Sequence, residues 1–421
     1  MTVPAQPLGY LDLLRTRTDF RRLWLGTLIS LLGDWFNTIA LYTLVAQLTG
    51  SPFALGAVFI FKMLPAALAS PIAGLIVDQF DRRRLMIWSD LLRAVVVLGF
   101  LLIDEPQEVP LLYLLIVLQV VLGAVFQPAK SASVPNLVAD RDLITANAIS
   151  SATWSVMLAV GAALGGFAAE WLGLQMVFLL DSLTYVLSAW FIYRTRIPQD
   201  KLPPPENGWV RTAYREIKEG WQHMRSHPQI ERMALSKATW ALGGGSLVYT
   251  LTLLGEEIFP AMQAAGIGLL FSARGIGTGI GPIVARAVFR DQRHWPAVLG
   301  LCIACSGVFY GVVGWMPWTY LVLLFVVLAH ATSGANWVLT TVLLQQRTAD
   351  RFRGRVFATE WLFVMMADVI SIFTASLFLE QGLLDLRGTI QVFALLQVIC
   401  GVGWLVLVVP RERAATSFPR T

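Results

Sequence analysis

Five ionisable side chains sit deep inside long apolar runs, where water cannot solvate them: Asp34, Lys62, Arg274, His330 and Asp368. Charge in such surroundings is costly, so each is a candidate for ligand binding or proton transfer. Helical rise sets their depth. At 1.5 Å per residue, Asp34 lies roughly 18 Å beyond Arg22 in its run, and Lys62 lies roughly 15 Å beyond Pro52 in the next. Both distances reach the middle of a ~30 Å hydrocarbon layer. The two are expected to pair, either fixing helix packing or forming a switchable site where substrate or a proton competes for Asp34. Arg274, His330 and Asp368 reach similar depths in later runs. A lone interior histidine is ordinarily a satisfied packing residue; together with Asp368 it can relay a proton. Asp90 and Arg93, three residues apart near the start of the third run, are expected to brace the adjoining turn. Asp181 has no evident partner.

Other constellations carry less chemistry. Cys302 and Cys305 form a CxxC inside an apolar run, with no second pair and no nearby histidine, so helix packing is the expected role. His223 and His227 are spaced i, i+4 but lack a third ligand, and no metal is expected there. Gly275, Gly277, Gly279 and Gly281 do not have the spacing of a nucleotide loop; small residues at helix contacts account for them better. The chain contains no HExxH or GxSxG stretch, so neither an enzyme nor a cofactor is expected.

The elements that hold these residues follow from composition. Of 421 residues, 56% are hydrophobic and only 14% charged, against about 25% charged in a soluble domain. Apolar runs bounded by charges, Pro and Gly fall at 23–47, 53–77, 85–103, 111–126, 146–169 and 174–193, then at 233–254, 264–288, 297–315, 320–344, 356–379 and 390–409. Each is long enough for a membrane helix. The fold class is therefore all-α integral membrane, with about twelve transmembrane helices. No removable signal peptide is expected.

The net charge of +5 does not imply nucleic acid, because the basic residues sit between spans. Arg82 to Arg84, Lys130 and Arg141, Arg286, Arg290 and Arg293, and Arg347 to Arg355 occupy alternate connections. Asp104, Glu105, Glu108, Glu170, Glu256, Glu257, Glu380 and Asp385 occupy the others, with Arg387 as their basic residue. This bias places both termini and the long middle linker in the cytoplasm. The linker opens with Pro203, Pro204 and Pro205. Trp209, Ala213, Ile217, Trp221 and Met224 then recur at helical spacing, opposite Arg211, Arg215 and Lys218, as in a helix lying on anionic lipid headgroups.

Two short matches, Ser70-Pro71-Ile72-Ala73 with Gly281-Pro282-Ile283-Val284 and Ala139-Asp140-Arg141 with Ala349-Asp350-Arg351, share a spacing of about 210 residues, which suggests a duplicated six-helix half. The expected organisation is 1–194 as one bundle, 195–231 as linker and 232–421 as the second bundle. Such repeats build transporters that rock about a central site. The sharpest motif, Gly74-Leu75-Ile76-Val77-Asp78-Gln79-Phe80-Asp81-Arg82-Arg83-Arg84, resembles the loop signature of the major facilitator superfamily, G-x-L-a-D-r-x-G-r-R/K, with Asp81 in place of the second Gly. That variant is similar to the macrolide-efflux and enterobactin-exporter branch. Phe126-Gln127-Pro128-Ala129, Gly334-Ala335-Asn336-Trp337 and Arg353-Gly354-Arg355-Val356 fit the same branch. Gly161-Ala162-Ala163-Leu164-Gly165-Gly166 is similar to the exporter signature G-P-x-x-G-G, with Ala162 replacing the Pro.

The resemblance implies a gate at Gly74, Asp78, Asp81, Arg82 and Arg83, with Gly74 permitting close helix approach. The second-half counterpart has Ala285 and Phe289 for the Gly and Asp, so any gate there must differ. It also implies that Trp35, Phe36, Trp240, Tyr249, Trp337 and Trp361 lie on helices lining a cavity, as packing groups or as an adaptable pocket for amphipathic molecules. The function it implies is a proton-coupled exporter, an antiporter of small amphipathic compounds such as drugs or siderophores. It would work as a monomer among membrane lipids in the inner (plasma) membrane. The alternative on the same fold is a lysophospholipid flippase; a membrane-embedded enzyme or sensor is the alternative of another class.

Overall fold

The computed structural model describes residues 8–199 and 208–416. Pro203, Pro204 and Pro205 and the outermost ends of the chain lie outside the described residues. A short helix, Tyr10–Thr16, precedes the first bundle of α1 (Thr18–Thr49), α2 (Pro52–Gln79), α3 (Arg82–Leu102), α4 (Pro106–Asn136), α5 (Asp140–Leu172) and α6 (Leu174–Tyr193). The linker helix Trp209–Ser226 follows. The second bundle consists of α7 (Pro228–Ile258), α8 (Gln263–Val288), α9 (Gln292–Trp315), α10 (Leu321–Arg347), α11 (Asp350–Glu380) and α12 (Leu386–Ala414).

Eleven of these helices are long and apolar enough to cross a membrane. The exception is α7, which has the length, at 31 residues, but carries Lys237 and the run Gly243-Gly244-Gly245-Ser246. Its polar groups are tolerated because neighbours cover them: Ser236, Lys237, Ser246, Thr250 and Thr252 are all buried, beneath α11, α12, α8 and α10. Helix starts are fixed locally. Ser51 Oγ accepts from the Ala54 amide at 3.0 Å ahead of Pro52, whose missing N–H costs nothing at that position. Asp81 caps α3 through the Arg84 amide at 2.8 Å. Between α1 and α2 the chain reverses at Gly50, whose φ of 57° suits a glycine helix stop.

Within the bundles α1 and α3 pack on α6, α2 on α4, α8 on α10, α9 on α12 and α7 on α11. The bundles meet through two crossings, α2 with α11 and α5 with α8. Both are closest on the side away from the Arg82–Arg84 turn, called here the acidic side. There Ser51 Oγ donates to Glu380 at 2.7 Å, the Phe53 amide donates to the same carboxylate at 3.1 Å, and Tyr249 donates to the Pro52 carbonyl at 2.7 Å. Phe53 meets Phe373 edge-on at 5.8 Å. A Cβ added to Gly166 would fall 2.5 Å from the Ala264 carbonyl oxygen, and one on Gly268 2.5 Å from that of Ala162. These glycines let two backbones touch.

The linker helix packs its apolar side on protein. Its Ala213–Gly220–Met224 side lies on the start of α11, where a Gly220 Cβ would stand 2.4 Å from the Arg355 carbonyl oxygen. Glu219 pairs with Arg355 at 3.0 Å, and Trp221 meets Phe363 edge-on at 5.1 Å. At the other end Trp209 Nε1 donates to Gln79 of α2 at 2.9 Å. Gly220 brings the helix so close that α11 takes up this face. Arg211, Arg215 and Lys218 remain exposed.

Candidate binding cavity

A cavity of about 600 Å³ is lined by helices of the first bundle and, from the second, by Trp361 of α11. Asp34, Lys62, Arg93, Tyr185, Trp35 and Trp361 line its floor, and Ser70, Gln127, Ser131 and Trp154 line its mouth. Ser70, Gln127 and Ser131 lie on the halves of α2 and α4 next to the Arg82–Arg84 turn, so the cavity opens on the basic side and is sealed on the acidic one.

The expected Asp34–Lys62 ion pair is absent. Lys62 Nζ donates to Thr38 Oγ1 at 2.7 Å, one helical turn beyond Asp34, and no carboxylate pairs with it among the described residues. Asp34 instead accepts a short hydrogen bond from Tyr185 and faces Arg93 at 3.8 Å. Arg93 is the hub. It pairs with Asp90, lies 4.3 Å over the Tyr185 ring and is itself buried. The expectation that Asp90 and Arg93 brace the turn is therefore corrected: α3 aims Arg93 at α1 and α6, into the cavity wall. Asp181, also buried, lies against Gly33 of α1 and leaves Oδ2 without a hydrogen-bond partner. Gln119 donates to Tyr185 at 3.2 Å, which leaves the Tyr185 proton aimed at Asp34.

In the second bundle the proposed relay is not assembled. His330 Nε2 pairs with the Tyr310 hydroxyl at 2.8 Å, its Nδ1 is unpartnered, and no hydrogen bond joins it to Asp368 among the described residues. Asp368 is buried against Gly245. Arg274 rests 5.8 Å from the Phe271 ring, without an ion pair to Asp368. An ion pair overlooked in the sequence stands nearby: Lys237 meets Glu360 at 2.9 Å, each about 5% exposed or less. Lys237 also donates to Thr341 at 2.9 Å and lies 4.5 Å over Trp337, which in turn meets Trp361 at 6.0 Å. The depth rule applied to Asp34 reaches this pair too, since each lies roughly 14 Å along its helix from the basic-side end.

The aromatics divide by role. Trp35 and Trp361 line the cavity. The backbone of Phe36 packs on Gly165, and the Trp35 side chain on Gly161, so the exporter-like glycines seat α5 against α1 as well as against α8. A π-helical turn at Met157–Gly161 shifts α5 at this contact, a feature frequent at functional sites. Trp240 covers Gly244, and Tyr249 belongs to the acidic-side seal.

At the basic turn, Asp78 pairs with Arg82 at 3.8 Å. Arg82 donates to the Ala132 carbonyl at 2.8 Å, and Arg83 to the Tyr193 carbonyl. Asp81 serves as the helix cap. Gly74 does not mediate close helix approach: a Cβ there would meet nothing within 4 Å.

Two helical bundles, sealed on one side and open to a polar cavity on the other, form the architecture of a membrane transporter. The chain belongs to the Major Facilitator Superfamily, whose model matches residues 23–358. It is 30% identical over 222 residues to the MFS-type transporter YfiS of Bacillus subtilis (strain 168), a match spanning about half of each chain, 52%. It is 22% identical to Macrolide efflux protein A of Streptococcus pyogenes, over 87% of this chain and 90% of the relative. It is 25% identical to Enterobactin exporter EntS of Citrobacter koseri, over 82% of each. Among solved structures, a bacterial homologue of the human lysosomal transporter Spinster superposes with a TM-score of 0.72 at 14% identity, covering 96% of this chain and 99% of that one. The protein is thus a multi-pass membrane transporter with efflux-named relatives, and not an enzyme.

Proposed function

We propose that this protein is a proton-coupled exporter of small amphipathic compounds, drugs or siderophores among them. It works as a monomer in the inner membrane with both termini and the linker in the cytoplasm. In this reading 1–194 and 232–421 rock about the cavity, 195–231 tethers them, and the Asp78–Arg82 turn acts as the basic-side gate. The observation that carries the reading is the cavity itself, where aromatic walls from Trp35, Trp154 and Trp361 surround the Asp34–Tyr185–Arg93 cluster. Aromatic walls suit apolar cargo of varied shape. A carboxylate held by a tyrosine proton and an arginine stays ionised while they face it and can gain a proton in a conformation where those partners move away. Asp34 is the first candidate for this step and Asp368 the second. The efflux names of the relatives and the basic bias of one side support direction and orientation.

The test is proton movement in proteoliposomes, followed with a pH dye under an imposed gradient, using a panel of macrolides, siderophores and lysophospholipids. A compound in the first two groups is expected to drive proton movement. Asp34→Asn is expected to abolish it while sparing substrate exchange. Full proton movement in both Asp34→Asn and Asp368→Asn variants would overturn the coupling assignment. Transport confined to lysophospholipids would overturn the substrate class.

A further inference from the structure

A second cavity, of about 830 Å³, lies between the basic-side ends of α8 and α10. Ile283, Phe289, Val338 and Val342 form its apolar walls, and Arg286 and Arg290 stand at its rim. The walls are uncovered, with Ile283 72% and Val338 41% exposed. Arg286 and Arg290 flank the end of α8 at Val288, whereas Ile283 lies roughly 8 Å further in and Val338 roughly 14 Å in from the end of α10. The cavity is thus a slot with a cationic mouth at helix-end level and an apolar bore below it.

The cations lack an internal partner. Neither Arg286 nor Arg290 forms an ion pair among the described residues. The nearby acid, Asp291, is engaged by the Arg293 amide at 2.9 Å and by His294 at 3.7 Å. The internal repeat explains the shortfall. In the first half the equivalent turn supplies its own anion, with Asp78 beside Arg82 at 3.8 Å. In the second half Phe289 occupies the place of Asp78. At the same offset Arg286 and Arg290 fall on Leu75 and Gln79, so the second half exchanges the anion for an apolar wall and adds two cations beside it.

We propose that this slot binds an anionic phospholipid of the leaflet on the basic side, with its phosphate between Arg286 and Arg290 and one acyl chain along Ile283, Val338 and Val342. Two guanidiniums without carboxylates match a phosphate in charge and geometry, and the bore below them matches the chain attached to it. A basic pocket between membrane helices at headgroup depth is a recognised form of lipid site.

The test uses the purified full chain, titrated with phosphatidylglycerol, phosphatidylcholine or inorganic phosphate, with binding read by native mass spectrometry and thermal unfolding. Phosphatidylglycerol is expected to bind and raise the unfolding temperature above the value in phosphatidylcholine. Inorganic phosphate alone is expected to do neither. Arg286→Gln with Arg290→Gln should weaken phosphatidylglycerol binding roughly thirtyfold, as expected for losing two headgroup-level cations. Val342→Trp, which fills the bore and keeps both charges, should weaken it as well and serves if the double variant misfolds. Equal binding of the two lipids, equal stabilisation by inorganic phosphate, or unchanged lipid preference in either variant would overturn the assignment.

Discussion

Arg93 shows what depth alone leaves unread. Asp34 and Lys62 stand at matching distances along consecutive helices, so their presence in one cavity was legible from spacing. Their pairing was not, because it depends on how each helix is rotated. Rotation brings Thr38 to Lys62 and Arg93 to Asp34. The arginine sits between Asp34 and Asp90 while buried, so removing it strands both carboxylates. Arg93→Ala is expected to cost about 3–5 kcal/mol, the penalty typical of a buried ion pair broken from one side. Lys62→Ala, which removes a cation held only by a hydroxyl, should leave stability nearly unchanged while impairing transport. Thermal unfolding of both variants in detergent distinguishes them: equal midpoints would mean that Arg93 is not the hub. The Lys237–Glu360 pair was missed for a different reason. Both residues stand only four positions into the apolar runs 233–254 and 356–379, and the helices begin earlier than those runs, at Pro228 and Asp350.

At the scale of elements, apolar runs located the spans to within a turn or two, except that α4 runs ten residues past 126 to Asn136, since length and apolarity are properties of one segment. What a segment packs on is a property of two. The linker helix shows this, because its amphipathic spacing fits lipid or protein equally, and Gly220 decides for α11. That docking carries a pH dependence. His223 stacks on Phe352 at 4.0 Å, nearly parallel. Burial, followed by the charges of His227 and Arg351, holds its pKa below the ordinary histidine value. A folded-state pKa below the unfolded one means that the docked form binds fewer protons. Its contribution is therefore complete above about 6.5 and is lost as pH falls from there through the lowered value. Protection factors across Trp209–Ser226, which correct for the slower intrinsic exchange at lower pH, should fall between pH 7.5 and pH 5.5 in the wild type. His223→Phe, which keeps the stack without the titration, should show no such fall. Identical profiles would remove His223 as the cause.

At the scale of the molecule, an all-helical membrane fold was legible in the apolar runs, but the state the transporter occupies was not. Which side is open depends on contacts between bundles, and these rest on small residues whose partners lie far away in sequence. The α5–α8 seal is the narrowest: Gly166 and Gly268 stand so close that a Cβ on either would sit 2.5 Å from a carbonyl oxygen across the interface. Such a contact cannot be relieved by rotating a side chain, because the obstructing atom is backbone. Gly268→Val should therefore penalise the sealed arrangement by about 1–3 kcal/mol, the usual scale of overpacking. A two-state equilibrium would shift by roughly ten- to a hundredfold toward opening on the acidic side. The cavity floor reports the shift. With Cys302, Cys305 and Cys400 replaced and Thr38→Cys introduced, an impermeant maleimide applied from the acidic side should label the Gly268→Val protein much faster than its glycine parent. Labelling from the basic side should slow correspondingly, since the two openings alternate. Unchanged labelling from both sides would mean that the glycine contact does not hold the seal. The Glu380, Tyr249 and Phe373 contacts of α11 and α7 with the start of α2 would then be what keeps the cavity closed on that side.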